Sequence, residues 1–189
     1  MTAILGISGS LRRDSHNTKL LRAAERLLPE GAELEIYGSL RDVPHYDADH
    51  DVAPAPAAVA HLRDAIAGAD AVLIATPEFN GSLPGALKNA LDWASRPFGE
   101  GALRGKPVAV VGASTGLFGA VWAQADARKA LGIIGSDVIE DELGVAQADG
   151  AFDEQGDLLD PDQQAALAGV LGGLIARAES VREREAVAA

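Results

Sequence analysis

With 189 residues the chain is long enough for one α/β domain with a full core and short for two. Its 16 Lys and Arg stand against 28 Asp and Glu, a formal net charge of −12 that argues against nucleic acid and anionic membranes as partners. The absence of cysteine excludes disulfides, thiolate metal sites and a cysteine nucleophile. No apolar run reaches the roughly 18 residues of a membrane span, and the N-terminus lacks the basic start of a signal peptide, so a cytoplasmic protein is expected.

Ala3 to Ser8 is an apolar run that predicts a first strand. It stops at Gly9-Ser10-Leu11-Arg12-Arg13-Asp14-Ser15-His16-Asn17-Thr18. A helix follows over Thr18 to Leu28, with Leu20, Leu21, Ala24, Leu27 and Leu28 on one stripe. Strand, small polar loop and helix start is a geometry that binds phosphate, because the helix presents unpaired N–H groups and the positive end of its dipole. Ser10, Ser15, Thr18, Asn17 and Arg12 or Arg13 supply further donors. The alternative is an ordinary βα loop capped by Ser or Asn. Neither G-x-G-x-x-G nor G-x-x-x-x-G-K-[ST] occurs here, so the loop is neither a dinucleotide fingerprint nor a P-loop.

Glu33 to Tyr37 alternates and predicts a strand near the sheet edge. A long loop follows, about Gly38 to Pro56. Its His45-Tyr46-Asp47-Ala48-Asp49-His50-Asp51 run could suggest a metal site, but it has no helical framing and reads better as a solvated acidic loop beside the active site. Ala57 to Ala67 predicts a helix, and Ala71 to Ala75 a strand covered on both faces. Thr76-Pro77-Glu78-Phe79-Asn80-Gly81-Ser82-Leu83-Pro84 leads into a helix ending at Ala94, with Pro84 in the first turn behind a Ser82 or Leu83 cap. Trp93 lies off that helix's apolar stripe, which leaves packing on another subunit and local packing both open. Pro107 to Gly112 predicts a further buried strand, Ala120 to Leu131 a helix, Ser136 to Ile139 the last strand, and Pro161 to Glu183 the final helix before a fraying tail.

Strands alternating with helices imply a parallel, doubly wound sheet with right-handed crossovers. Five strands with the phosphate loop after the first suit a flavodoxin-like, three-layer α/β fold in strand order 2-1-3-4-5, one domain spanning residues 1–189. Ligands then sit at the carboxyl ends of the strands, where the loops after Ser8, Ala75 and Gly112 gather.

Gly112-Ala113-Ser114-Thr115-Gly116 spells the G-x-S-x-G nucleophile elbow, but His16, His45, His50 and His61 all precede Ser114, so a hydrolase lacks its downstream base. The loop reads instead as close backbone approach to a flat ligand, with Ser114 and Thr115 as polar contacts. Pro77 to Gly81 suits the edge of a heteroaromatic ring; Glu78 could be a general acid or base, but no titratable partner accompanies it.

Gly9-Ser10-Leu11-Arg12 with Ser15 and Asn17, then Pro77 to Gly85 running into Leu87-Lys88-Asn89-Ala90 and Asp92-Trp93, then Gly112-Ala113-Ser114 with Gly116 and Gly119, resemble the three signature loops of the NADPH-dependent FMN reductase family. These are flavodoxin-like flavoenzymes that include quinone, chromate and azo-dye reductases. The resemblance implies an oxidoreductase with FMN as cofactor and NADPH or NADH as co-substrate, delivering electrons to a quinone, flavin, azo or metal-oxyanion acceptor. It implies that Ser10, Arg12, Ser15, Asn17 and Thr18 surround the FMN phosphate, that Pro77, Glu78, Phe79, Asn80 and Gly81 line the ring edge, and that Ser114, Thr115 and Gly116 complete the pocket. It implies a homodimer or homotetramer built on the helices after the third and fourth strands. No catalytic side chain and no metal is expected. Phe79 stands where the family usually has Tyr, and Trp122 where it often has Arg. The rival readings are a flavodoxin-type electron carrier and a binding module on the same fold.

Overall fold

A computed structural model describes residues 1–188 and gives the order β1 (Thr2–Ser8), α1 (His16–Arg26), β2 (Ala32–Ile36), α2 (Ala57–Gly68), β3 (Ala71–Thr76), α3 (Gly85–Ala94), β4 (Pro107–Ala113), α4 (Val121–Ile134), β5 (Asp137–Val138), β6 (Gly144–Val145) and α5 (Pro161–Ala188). The sheet runs β2-β1-β3-β4-β5 with every pairing parallel, which is the flavodoxin-like order. Its strands are apolar runs because both faces are covered. Ala71, Leu73 and Ala75 point into a core with α1 and α5, while Val72 and Ile74 point into a second core with α2, α3 and α4.

The expected strand over Ser136 to Ile139 is present in shortened form as β5, and a further short strand, β6, shares the β4 edge with it. β5 pairs Pro107↔Asp137 and Val108↔Val138, and β6 pairs Gly112↔Gly144 and Ala113↔Val145. Between them Glu140, Asp141 and Glu142 are all exposed, whereas Ile139 and Leu143 on either side are buried. Three consecutive carboxylates cannot enter the core unpaired, so the chain loops out there and returns to the sheet.

Other departures have equally local causes. Pro84 itself takes the N-cap position of α3, because the Ser82 hydroxyl donates instead to Asp126 of α4 at 2.6 Å. Trp93 packs locally: it is fully buried, its Nε1 donates to the Pro44 carbonyl at 2.8 Å, and its ring meets Tyr46 edge-on at 4.8 Å. The long acidic loop is therefore not merely solvated. Tyr46 N–H donates to the Asn89 side-chain oxygen, Asn89 Nδ2 donates to the Pro44 carbonyl, and Arg63 pairs with Asp51 at 3.0 Å. Finally, α5 continues to Ala188 rather than fraying near Glu183, with Arg182 donating to the Met1 carbonyl and to Thr2 Oγ1. No helix among the described residues is long and apolar enough to cross a membrane.

Candidate functional site

Three loops leave the carboxyl ends of β1, β3 and β4 side by side, because those strands are neighbours in the sheet. Gly9 N–H donates to the Ala75 carbonyl at 2.8 Å, so the first loop starts against the end of β3. A Cβ on Gly9 would meet Leu87 Cδ2 at 3.1 Å and Pro77 Cδ at 3.3 Å, which keeps the first two loops in contact.

In the first loop, Ser15 caps α1, its hydroxyl oxygen accepting from Asn17 N–H and Thr18 N–H. Asn17 is 2% exposed and turned toward β4. Its Nδ2 donates to the Ala113 carbonyl and its Oδ1 accepts from Ala113 N–H, both at 2.9 Å. Thr18 Oγ1 lies 3.0 Å from Ser8 Oγ, and Ser10 Oγ accepts from Arg12 N–H. Ser15 and Asn17 are thus spent on the loop's own architecture. The half-buried Ser10 and the exposed guanidiniums of Arg12 and Arg13 stay open to solvent above the helix start.

The second loop is a tight turn that the Asn-Gly pair encodes. Asn80 (φ 54°) and Gly81 (φ 72°) are both left-handed, and Phe79 and Ser82 exchange backbone bonds at 3.1 and 3.2 Å. The turn thrusts Phe79 outward, 59% exposed. Glu78 points the other way. Its carboxylate accepts from Trp122 N–H and Ala123 N–H at 3.0 and 3.1 Å. α4 has no capping side chain of its own, because Ala120 sits at its N-cap in a left-handed conformation. Glu78 supplies that cap and a charge matched to the helix dipole, which accounts for its carboxylate without a proton-transfer role.

The third loop is held from the far side. Ser114 N–H donates to the Val145 carbonyl, Ala148 N–H to the Ser114 carbonyl, and Gln147 N–H to the Gly116 carbonyl, at 2.9 to 3.0 Å. These partners lie on β6 and the turn after it, and sequence patterns missed them: a two-residue strand has no periodicity to read. The left-handed Gln147 (φ 49°) closes that turn. The same segment reaches the first loop, where His16 Nε2 lies 3.0 Å from Asp149 and the His16 ring stacks on Phe152. Thr115 and Gly116 are exposed. Gly112, at the start of this loop, is needed for internal packing. A Cβ there would lie 2.9 Å from Ala120 Cβ and 3.0 Å from both Gln124 Nε2 and the Thr76 carbonyl.

The result is a shallow rim with polar, cationic groups over β1 and two backbone-rich turns over β3 and β4. Comparison with known proteins identifies the family. Residues 2–150 match the family model described as NADPH-dependent FMN reductase. The chain belongs to the NADPH-dependent FMN reductase family. It is 44% identical over 158 residues to an NAD(P)H-dependent FMN reductase of Pseudomonas aeruginosa, covering 83% of this chain and 84% of the relative. It is 39% identical over 155 residues to a quinone reductase of Pseudomonas putida, covering 82% and 83%. Among solved structures, the flavoenzyme NAD(P)H:(acceptor) oxidoreductase FerB of Paracoccus denitrificans superposes with a TM-score of 0.86 at 36% identity, covering 95% of this chain and 98% of FerB.

Proposed function

We propose that this protein is an NAD(P)H-dependent FMN-binding oxidoreductase that delivers electrons to a quinone-type small-molecule acceptor. The observation that carries the reading is the convergence of the three loops at one end of β1, β3 and β4, in a chain of this family. The donors left unspent fit the cofactor. Arg12 and Ser10 face the phosphate charge, and the α1 dipole adds to it. Ser15, Asn17 and Thr18 shape the loop that holds it. The turn from Pro77 to Gly81 and the segment Ser114 to Gly116 offer backbone groups to the ring edge. Bound FMN would supply the hydride chemistry, and the protein's part is to bind, orient and tune it.

An aromatic face accompanies the ring loops. Phe118 and Trp122 meet edge-on at 5.1 Å and are 62% and 50% exposed, and Phe79 is exposed too. Flat apolar acceptors such as quinones suit this face better than metal oxyanions, which call for cations. We also infer one domain over residues 1–189, a cytoplasmic location and a homodimer or homotetramer. The last is supported by Phe98 and Ile133, 88% and 78% exposed in the groove between α3 and α4. Light scattering on the purified protein tests the oligomer.

The function is tested by an absorbance spectrum of the protein after FMN addition and desalting, then with NADPH under nitrogen, then with a quinone. A flavin spectrum that bleaches and recovers is the expected result. Retained flavin without NADPH or NADH turnover would indicate an electron carrier, and no retained flavin would return the three loops to ordinary turns.

A further inference from the structure

The aromatic face beside the ring loops is held in place by the backbone beneath it. Phe118 and Trp122 sit on the segment that leads from the third loop into α4, four residues apart and packed edge-on. Gly119 and Ala120 between them are both left-handed, at φ 56° and 62°, and Gly119 lies so close to Gly144 that no Cβ fits there. The buried Gln124 donates to the Gly119 carbonyl at 2.9 Å, and Val121 N–H donates to the Phe118 carbonyl. Two ties run to the second loop, from Trp122 N–H to Glu78 and from the Ser82 hydroxyl to Asp126. The two rings are therefore presented on a fixed turn that cannot fold them inward, in a chain that is only 4% aromatic.

Charge and size narrow what this face can take. From Thr76 to Leu87 and from Gly112 to Ala127 there is no Lys, Arg or His. The carboxylates in those stretches, Glu78 and Asp126, already accept from the α4 start and from Ser82. An anion finds no counter-charge here, whereas an uncharged flat ring loses little hydration and gains an aromatic surface. Phe118 and Trp122 leave roughly 200 Å² of ring surface open, from their exposure and the area of such side chains. Even with Phe79 added, the total stays well below the about 800 Å² per partner of a stable protein interface. The scale is that of a small ligand.

We propose that Trp122, seconded by Phe118, is the specificity-determining face for the electron acceptor and selects fused-ring quinones over single-ring ones. This rests on the flavin-reductase reading above and deepens it by naming the residues that sort acceptors by ring number. The second ring of a naphthoquinone adds flat apolar area against the indole that a benzoquinone lacks. The turn that fixes the two rings means that little side-chain freedom is lost when the acceptor arrives. The reaction served is balanced by the coenzyme. A hydride from NAD(P)H and one proton from water convert the quinone to the hydroquinone, and NAD(P)⁺ leaves.

Trp122→Leu is the informative variant, because Trp122 is exposed and its loss removes the aromatic face without emptying the core. Trp122→Phe keeps a ring at the same place, and Phe118→Leu is a second, independent variant. Each protein is loaded with FMN, bleached with NADPH under nitrogen, and then assayed for kcat/KM with 2-methyl-1,4-naphthoquinone and with 2-methyl-1,4-benzoquinone. The ratio of the two values is compared between proteins, which cancels the different reactivity of the quinones themselves. The expected result is a naphthoquinone-to-benzoquinone ratio that falls about tenfold in Trp122→Leu, through a higher KM for the naphthoquinone, and less in Phe118→Leu, with most of the ratio restored in Trp122→Phe. An unchanged ratio in both leucine variants overturns the proposal. So does an equal fall for both quinones, which would place the effect on the flavin instead of the acceptor. A change in molar mass by light scattering in Trp122→Leu would assign the face to a second copy of the chain and overturn it too. Wild type that retains no flavin, or does not bleach with NADPH, removes the functional reading and the proposal together, and this shows before any quinone is added.

Discussion

Asn17→Ala separates a residue that shapes the site from one that touches the ligand. Asn17 is 2% exposed, and its side chain pairs with both the N–H and the carbonyl of Ala113 at 2.9 Å. Ala113 is itself 2% exposed at the end of β4. Truncation leaves one buried donor and one buried acceptor without partners, and each such group costs about 1–3 kcal/mol. Relief by movement of the loop offsets part of that, so a net loss of about 3 kcal/mol is expected in the flavin-free protein. For a chain of this length that corresponds to a fall in Tm of roughly 6–12 °C. Urea unfolding of flavin-free wild type and variant measures it directly. Arg12→Ala is the counterpart. Arg12 is exposed and its side chain makes no described bond, so its removal should change stability by under about 0.5 kcal/mol while weakening FMN binding at least about tenfold. The reasoning is refuted if Asn17→Ala leaves the unfolding midpoint in place and acts only on FMN affinity, because Asn17 would then be a ligand contact and its bonds to Ala113 energetically idle.

Other outcomes follow from the same geometry. Glu78→Ala should cost about 1 kcal/mol in urea unfolding of the flavin-free protein, because the Trp122 and Ala123 N–H groups lose their acceptor at the start of a helix with no cap of its own. Gly119→Ala should cost about 2–3 kcal/mol by the same assay, since its Cβ would fall 2.4 Å from the Gly144 carbonyl carbon at a φ of 56°, whereas Gly116→Ala meets only Ser114 Oγ at 3.4 Å and should be mild. Burial pushes the Tyr37 phenol above its ordinary value of 10.0, with Asp42 adding to it. The stability tied to the neutral phenol is complete below about pH 10 and is lost as pH rises through the raised value. The stability gap between wild type and Tyr37→Phe should therefore shrink in denaturation curves taken from about pH 9 to pH 11.

The sheet was legible because burial on both faces forces continuous apolar runs, and Ala71 to Ala75 and Pro107 to Gly112 are such runs. Ser15 was legible as a helix cap, since the signal lies within three residues. What stayed hidden depends on partners far along the chain. Trp93 is off the α3 stripe because a loop some fifty residues earlier wraps that flank through Pro44 and Tyr46. β6 is two residues long and exists because Gly112 and Ala113 offer it an edge. The Asn80-Gly81 pair did carry a readable turn signal, and it explains why Phe79 is thrust outward.

These long-range partners also divide the motif residues into two kinds. Ser15, Asn17 and Glu78 are polar residues in ligand-like loops, but each is consumed: one by the α1 start, one by Ala113, one by the α4 start. Ser114 is likewise tied through its backbone to Val145 and Ala148. Ser10, Arg12, Asn80 and Thr115 keep side-chain groups turned to solvent on the same rim. A flavin site works by presenting fixed dipoles to a ring it does not chemically attack, and fixed dipoles need loops that do not relax when the ligand leaves. The consumed residues provide that rigidity. Cross-ties from β6 to the third loop and from Asp149 to His16 extend it over the first loop as well, so the segment from Gly144 to Gly150 belongs to the site although none of its side chains was a candidate to face the ligand.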